Sequence, residues 1–167
     1  MEAPAKYSIF RCLRRLGYQE SSSHWGCDML VEEASRIIDE YARWVKKSMV
    51  PVQQGDAVQI ITPMLNRNND CMSVLLGESP EGGYIVTDLG ETIADLELSG
   101  VRLSSDKRLE TLDQFVRGYG VYRGCENELF IRCSAEELVP KLNMLMQAMA
   151  SVDHRPSYEY WRGFERS

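Results

Sequence analysis

The sequence predicts one α+β domain: a three-stranded antiparallel meander plus a C-terminal hairpin, packed with an N-terminal helix and two to three further helices. Three observations carry this expectation. The hydrophobic period is helical up to residue 49 and extended from residue 57. Three extended runs then follow at short spacing, separated by turn residues. Finally the period returns to helical, interrupted by one pair of extended runs around a glycine-containing turn. A chain of 167 residues fits a single domain. At this size roughly 70% of the unfolded surface can be buried, so neither a metal nor a disulfide is needed for stability.

Residues 1–27 read as an N-terminal amphipathic segment and loop. Ile9, Phe10, Leu13 and Leu16 fall at helical spacing, with Arg11, Arg14 and Arg15 on the other side. His24 and Cys27 in the loop have a spacing a metal site could use, but zinc requires three or four protein ligands and the only other histidine is His154. The α+β domain is expected over 28–154. Asp28 is placed to cap a helix over 29–49, whose stripe is Leu30, Ala34, Ile37, Ile38, Tyr41, Trp44 and Val45. Acids precede bases along it, which suits the helix dipole. Trp44 is expected to be buried on the sheet with Ile37 and Tyr41, and Pro51 to close the helix.

Strands are expected at 57–62, where Pro63 stops the run, at 71–76 and at 84–87, with a polar loop at 64–69 and a hairpin connection at 79–83. A turn at 88–90 leads into a short helix over 92–98. Ser104 or Ser105 caps the next helix, with Leu109, Leu112 and Val116 inward and Gly118 at its end. A hairpin is expected from 119–122 and 128–133. Ser134 and Glu137 have capping-box spacing ahead of a last helix that buries Leu138, Leu142, Leu145, Met149 and Val152. Residues 155–167 form an aromatic and basic tail, in which Tyr158, Trp161, Arg162 and Phe164 are interface candidates because such side chains anchor interfaces. The alternative is a tail folded back on its own core.

Bulk composition narrows the function classes. The net charge is -6 and the pI about 5.0. Broad nucleic-acid binding draws its affinity from neutralised phosphates and leaves a basic footprint, which charge does not indicate here. There are five cysteines and no CxxC pair. Their odd number, the charged N-terminus and the lack of an apolar run of about 20 residues lead to the expectation of free thiols in a cytoplasmic, non-membrane protein.

Phosphate-binding, dinucleotide, HExxH and GxSxG motifs are absent. The remaining polar concentration is Arg67, Asn69, Asp70, Asp88 and Glu91. In an antiparallel meander Asp70 opens the second strand and Asp88 ends the third, so both acids fall at one end, with Arg67 able to turn back over them. Such a set could hold a divalent ion, a phosphate or a partner's basic residue. Turn and cap chemistry accounts for the same residues without any ligand. The element order also matches a PD-(D/E)xK nuclease core, but no lysine follows an acid by two positions on the third strand.

Over residues 41–152 the chain resembles a bacterial and phage family known as domain of unknown function 1828. The features that carry the resemblance are Ile61, Thr62 and Pro63 followed by Arg67 and Asp70, then Gly83 to Asp88 with Gly90, then Asp95 to Gly100. The family pattern often has a histidine after the arginine and a second acid after the first. Here those positions are Asn68 and Leu89. The resemblance implies a bacterial or prophage context, argues against metal-dependent activity in this member, and implies no reaction.

The expected function is therefore a non-catalytic interaction protein of a mobile element or prophage, acting as an inhibitor or regulator of host defence machinery. The alternatives are a degenerate divalent-metal nuclease and an antitoxin or immunity-like protein. A protein partner is expected, with a homodimer as the alternative, and no cofactor, with magnesium or manganese as the alternative.

Overall fold

The computed structural model describes residues 30–154 apart from 102 and 104. The segment 1–27, Asp28, Ser104 and the tail 155–167, with Tyr158, Trp161, Arg162 and Phe164, lie outside the described residues. The chain divides into two compact units, Met1–Ala42 and Arg43–Ser167.

Helix α1, Val31–Ser48, begins in the first unit and ends in the second. Glu32 and Glu33 lie in its first turn, and Lys46 and Lys47 in its last. Arg36 reaches Glu33 at 3.9 Å and Glu40 at 3.1 Å, exposed pairs of the kind that contribute about 0.3–0.5 kcal/mol. The expected burial of its stripe is not met. Ile37, Tyr41 and Trp44 are 44%, 63% and 53% exposed. A helical period shows that one side of a helix is apolar but says nothing about what that side faces.

The second unit is built on a six-stranded sheet, antiparallel throughout: β1 (Val50–Gln54), β2 (Ala57–Leu65), β3 (Cys71–Glu78), β4 (Tyr84–Thr87), β5 (Tyr122–Arg123) and β6 (Leu129–Cys133). The spatial order is β1-β2-β3-β4-β6-β5. The meander and the C-terminal hairpin are as expected, and the two join because β6 pairs with β4, Val86 opposite Ile131.

Two details differ from expectation. The first is β1, a strand the sequence pattern hides because its residues are exposed or half-buried and it contains Pro51. It folds onto β2 through a turn at Gly55 and Asp56, Gly55 taking φ 60. Proline is tolerated there because β1 is an edge strand. The second is Pro63, which does not end β2. The register of β2 against β3 shifts between Ile61 and Leu65, and a bulge asks no ladder bond of the proline.

Helices α2 (Glu91–Leu98), α3 (Asp106–Arg117) and α4 (Leu138–Asp153) complete the unit. Ser105 caps α3, its side chain accepting from Arg108 N–H. Glu137 accepts from the Ser134 N–H and hydroxyl ahead of α4, while the helix proper starts at Leu138 and carries Pro140 harmlessly in its first turn. All three helices bury their apolar sides against one face of the sheet. Val74, Val86, Leu129 and Ile131 there meet Ile93 and Leu96 of α2, Leu112 and Val116 of α3, and Leu145, Met149 and Val152 of α4. Burying one such leucine contributes roughly 1.5–3 kcal/mol.

Residues of the opposite face alternate with these. Paired positions carry Val50, Val52, Gln54, Ala57, Gln59, Ile61, Leu65, Cys71, Ser73, Leu75, Gly77, Ile85, Thr87, Tyr122, Phe130 and Arg132, and Arg132 is the one charged side chain among them.

The turn into β4 depends on Gly83. Its φ is 78, and a Cβ built there would lie 2.5 Å from the Cys133 carbonyl oxygen. Gly83→Ala is expected to cost at least about 1–2 kcal/mol from the left-handed backbone alone, with the clash added. Urea unfolding measures this; a midpoint equal to wild type would mean that β4 and β6 can separate at no cost.

Candidate functional site

The loop between β2 and β3 is organised by Asn66. Its Oδ1 accepts from the N–H groups of Asn68 at 3.0 Å and Asp70 at 2.9 Å, and its Nδ2 donates to Asp95 on α2 at 2.7 Å. Asn69 takes φ 68, the left-handed turn conformation asparagine tolerates. Arg67 reaches α4. Its backbone N–H donates to Asp153 Oδ2 at 2.6 Å, its Nε to Oδ1 at 3.1 Å, and its terminal nitrogen to the Asp153 carbonyl. The Asp153 side chain is 1% exposed and that of Arg67 17%, so this is a largely buried ion pair tying the loop to the end of α4.

Asp88 is buried at 2% exposure. Its Oδ1 accepts from Gly90 N–H at 2.9 Å and Leu129 N–H at 2.7 Å, and its Oδ2 from Thr92 N–H at 3.1 Å. The carboxylate thus caps α2 and pins the start of β6. Burial pushes its pKa up from the ordinary 3.8, against the lowering effect of those donors.

Glu91, exposed at the start of α2, accepts from the Ser73 hydroxyl at 3.3 Å, and Gln59 Nε2 donates to Ser73 Oγ at 2.9 Å. Desolvation raises the Glu91 pKa from 4.5, the Ser73 hydroxyl opposes it, and the charges of Asp88 and Asp95 add to the rise.

The five residues singled out in the sequence therefore do not form one cluster. Arg67 is claimed by Asp153 and Asp88 by backbone donors, while Asp70 and Asn69 stay in the exposed loop. Register explains the separation. Thr87 lies opposite Leu75, five positions from Asp70, so about 16 Å of strand separates Asp70 from the end of β4. The acids share one end of the meander, but β3 overshoots β4. Asp153 was missed. The available signal was its spacing, four residues after Met149 on the buried side of α4, where an unpaired acid is rarely tolerated. Among the described residues, no group of three or more His, Cys, Asp or Glu is placed to hold a metal ion.

A pH dependence results. Asp88 and Glu91 hold their protons more tightly folded than unfolded, so the stability they contribute is fully present below about pH 4 and falls as pH rises through their raised folded values. Glu91→Gln is neutral at every pH. Its stability relative to wild type is expected to rise from pH 4 to pH 7 in paired urea titrations, and a constant difference would contradict the raised Glu91 pKa.

A second feature lies on the face of the sheet away from the helices. A groove of about 300 Å³ is lined by Ile85 and Thr87 of β4, Phe130 and Arg132 of β6, Leu89, and the hairpin residues Glu126 and Glu128. The Arg132 guanidinium stands 5.4 Å from the Phe130 ring centre, and Tyr122 packs on the same ring at 6.1 Å. Leu89 at the rim is 63% exposed and takes φ 55, a conformation that is unusual for leucine and costs about 1–2 kcal/mol.

These features define an α+β domain with an antiparallel sheet, helically covered on one face and stapled at one end by buried carboxylates. The chain belongs to the family described as Domain of unknown function DUF1828, which it matches over residues 62–152. The matched segment opens at the β2 bulge and closes beside Asp153. No curated protein and no solved structure matches the chain. No helix among the described residues is long and apolar enough to cross a membrane.

Proposed function

We propose that this protein is a non-catalytic protein-interaction module that presents the outer face of its sheet, centred on the β4–β6 groove, to a protein partner. The observation that carries the reading is the composition of that face. Arg132 is the one charged side chain at its paired strand positions, while Glu126 and Glu128 of the β5–β6 hairpin rim the groove, and an apolar centre with a charged rim is the anatomy of an interface. Leu89 supports it: an exposed leucine in the left-handed region is unfavourable for the isolated fold, and such strain clusters at binding sites. The setting we propose, carried by the resemblance to a bacterial and phage family, is regulation of host defence machinery.

The test separates binding from folding. Leu89→Asn relieves the backbone conformation and removes the apolar side chain. The variant is expected to be at least as stable as wild type in urea and to lose capture of any partner that immobilised wild type retains from bacterial extract. Unchanged capture would place binding elsewhere. The nuclease alternative is weakened because both Asp88 oxygens already accept backbone N–H groups. Manganese-dependent cleavage of DNA or RNA by the pure protein, lost in Asp70→Asn, would reverse that judgement.

A further inference from the structure

The geometry points to a second copy of this chain as the occupant of the outer sheet face, two sheets packing face to face about a two-fold axis. This inference rests on the reading of that face as a docking surface and names its partner.

Four observations converge. First, the face is apolar at its centre, through Ile61, Leu75, Ile85 and Phe130, and the described helices of the second unit that build its core all pack on the other side. A sheet with two apolar faces needs a layer on each. Second, six strands span about 24 Å at the usual spacing and run up to about 30 Å along β2. The other strands are shorter, down to the two residues of β5, so the six together pave roughly 500 Å², and two such faces meeting reach about the 1,000 Å² total expected of a biological interface.

Third, edge-to-edge assembly is blocked. One edge strand carries Pro51 and the other, β5, has two residues, so association through strand pairing lacks a template. Fourth, the groove carries both signs of charge. Arg132 lies along one side and Glu126 and Glu128 along the hairpin side, and Arg132 makes a long, exposed ion pair with Glu81 at 3.9 Å. A two-fold operator brings the cation of each copy to the acids of the other, since such an interface is the same patch used twice.

Sedimentation equilibrium of the full chain, in reducing buffer from about 1 to 100 µM, tests this across the range where an interface of this size assembles. Wild type is expected to approach the mass of two chains. Ile85→Glu places a carboxylate at the centre of the face and is expected to weaken the dimer at least about 100-fold, with circular dichroism unchanged. Arg132→Glu, at an exposed position that folding tolerates, is expected to weaken it about 10-fold, and adding Glu126→Arg in the same chain to restore it. The charge-swap pair keeps the test decisive if Ile85→Glu fails to fold.

A wild type that stays monomeric at about 100 µM overturns the inference, as does a dimer indifferent to Arg132→Glu. A monomer whose urea midpoint drops sharply on Ile85→Glu also overturns it, because the face is then covered from within the chain. The first two outcomes leave the docking reading standing, since partner capture by Leu89→Asn tests it separately, whereas a face covered from within the chain would overturn both.

Discussion

Replacing Arg67 with alanine is expected to destabilise the protein by about 3 kcal/mol, the lower end of the range for removing one partner of a buried ion pair. The Asp153 side chain is 1% exposed and would lose the guanidinium that satisfies it, with His154 Nδ1 at 3.5 Å as its remaining ionisable neighbour. The loss is not larger because the Arg67 backbone N–H, which alanine also has, still donates to Oδ2. Arg67→Lys should recover only part, since a lysine ammonium cannot reproduce the guanidinium's simultaneous contacts with the Asp153 side chain and carbonyl. Adding Asp153→Asn to Arg67→Ala should restore stability relative to the single variant, because a buried amide needs no cationic partner. Urea unfolding of wild type, the two single variants and the double variant forms a double-mutant cycle. A cost below about 1 kcal/mol for Arg67→Ala would show that solvent reaches Asp153 and the pair acts as a surface contact.

Removing the Asp88 carboxylate is expected to have an effect of similar size. Asp88→Ala leaves three backbone donors, at Gly90, Thr92 and Leu129, without their acceptor, and should cost about 3–5 kcal/mol on the scale of 1–3 kcal/mol for each buried unsatisfied group. Asp88→Asn should cost less. Its single oxygen can keep the Gly90 and Leu129 bonds, while its amide turns a donor toward the Thr92 N–H. Hydrogen exchange adds a local readout: protection of the Leu129 amide should fall in the alanine variant before the rest of β6 opens. Equal protection in both variants and wild type would mean the carboxylate does not staple β6.

Much of this fold is legible along the chain. The meander, the short helix after Asp88, the Ser105 cap and the buried side of α4 all follow from local period and turn chemistry, because each depends on residues within a few positions of one another. The strand β1 is not legible in the same way. Val50–Gln54 shows no strong alternation and includes a proline, and it becomes a strand only because β2 offers it a ladder. The apolar stripe of α1 is legible as a stripe, yet Trp44 and Tyr41 are more than half exposed.

The candidate site divides along the same line. That Asp88 should cap a helix is a local matter, and it does. That its oxygens also hold Leu129, 41 residues away, is not. The grouping of Arg67 with Asp70 and Asp88 assumed strands of equal reach, and the overshoot of β3 beyond β4 undid it. Arg67 instead meets Asp153 across 86 residues. A residue's own neighbourhood in the chain specifies its backbone state, since propensity, caps and alternation act over one or two turns. Charge partners, strand register and the exposure of an apolar face depend on which distant segments come to lie beside it, and packing in three dimensions decides that.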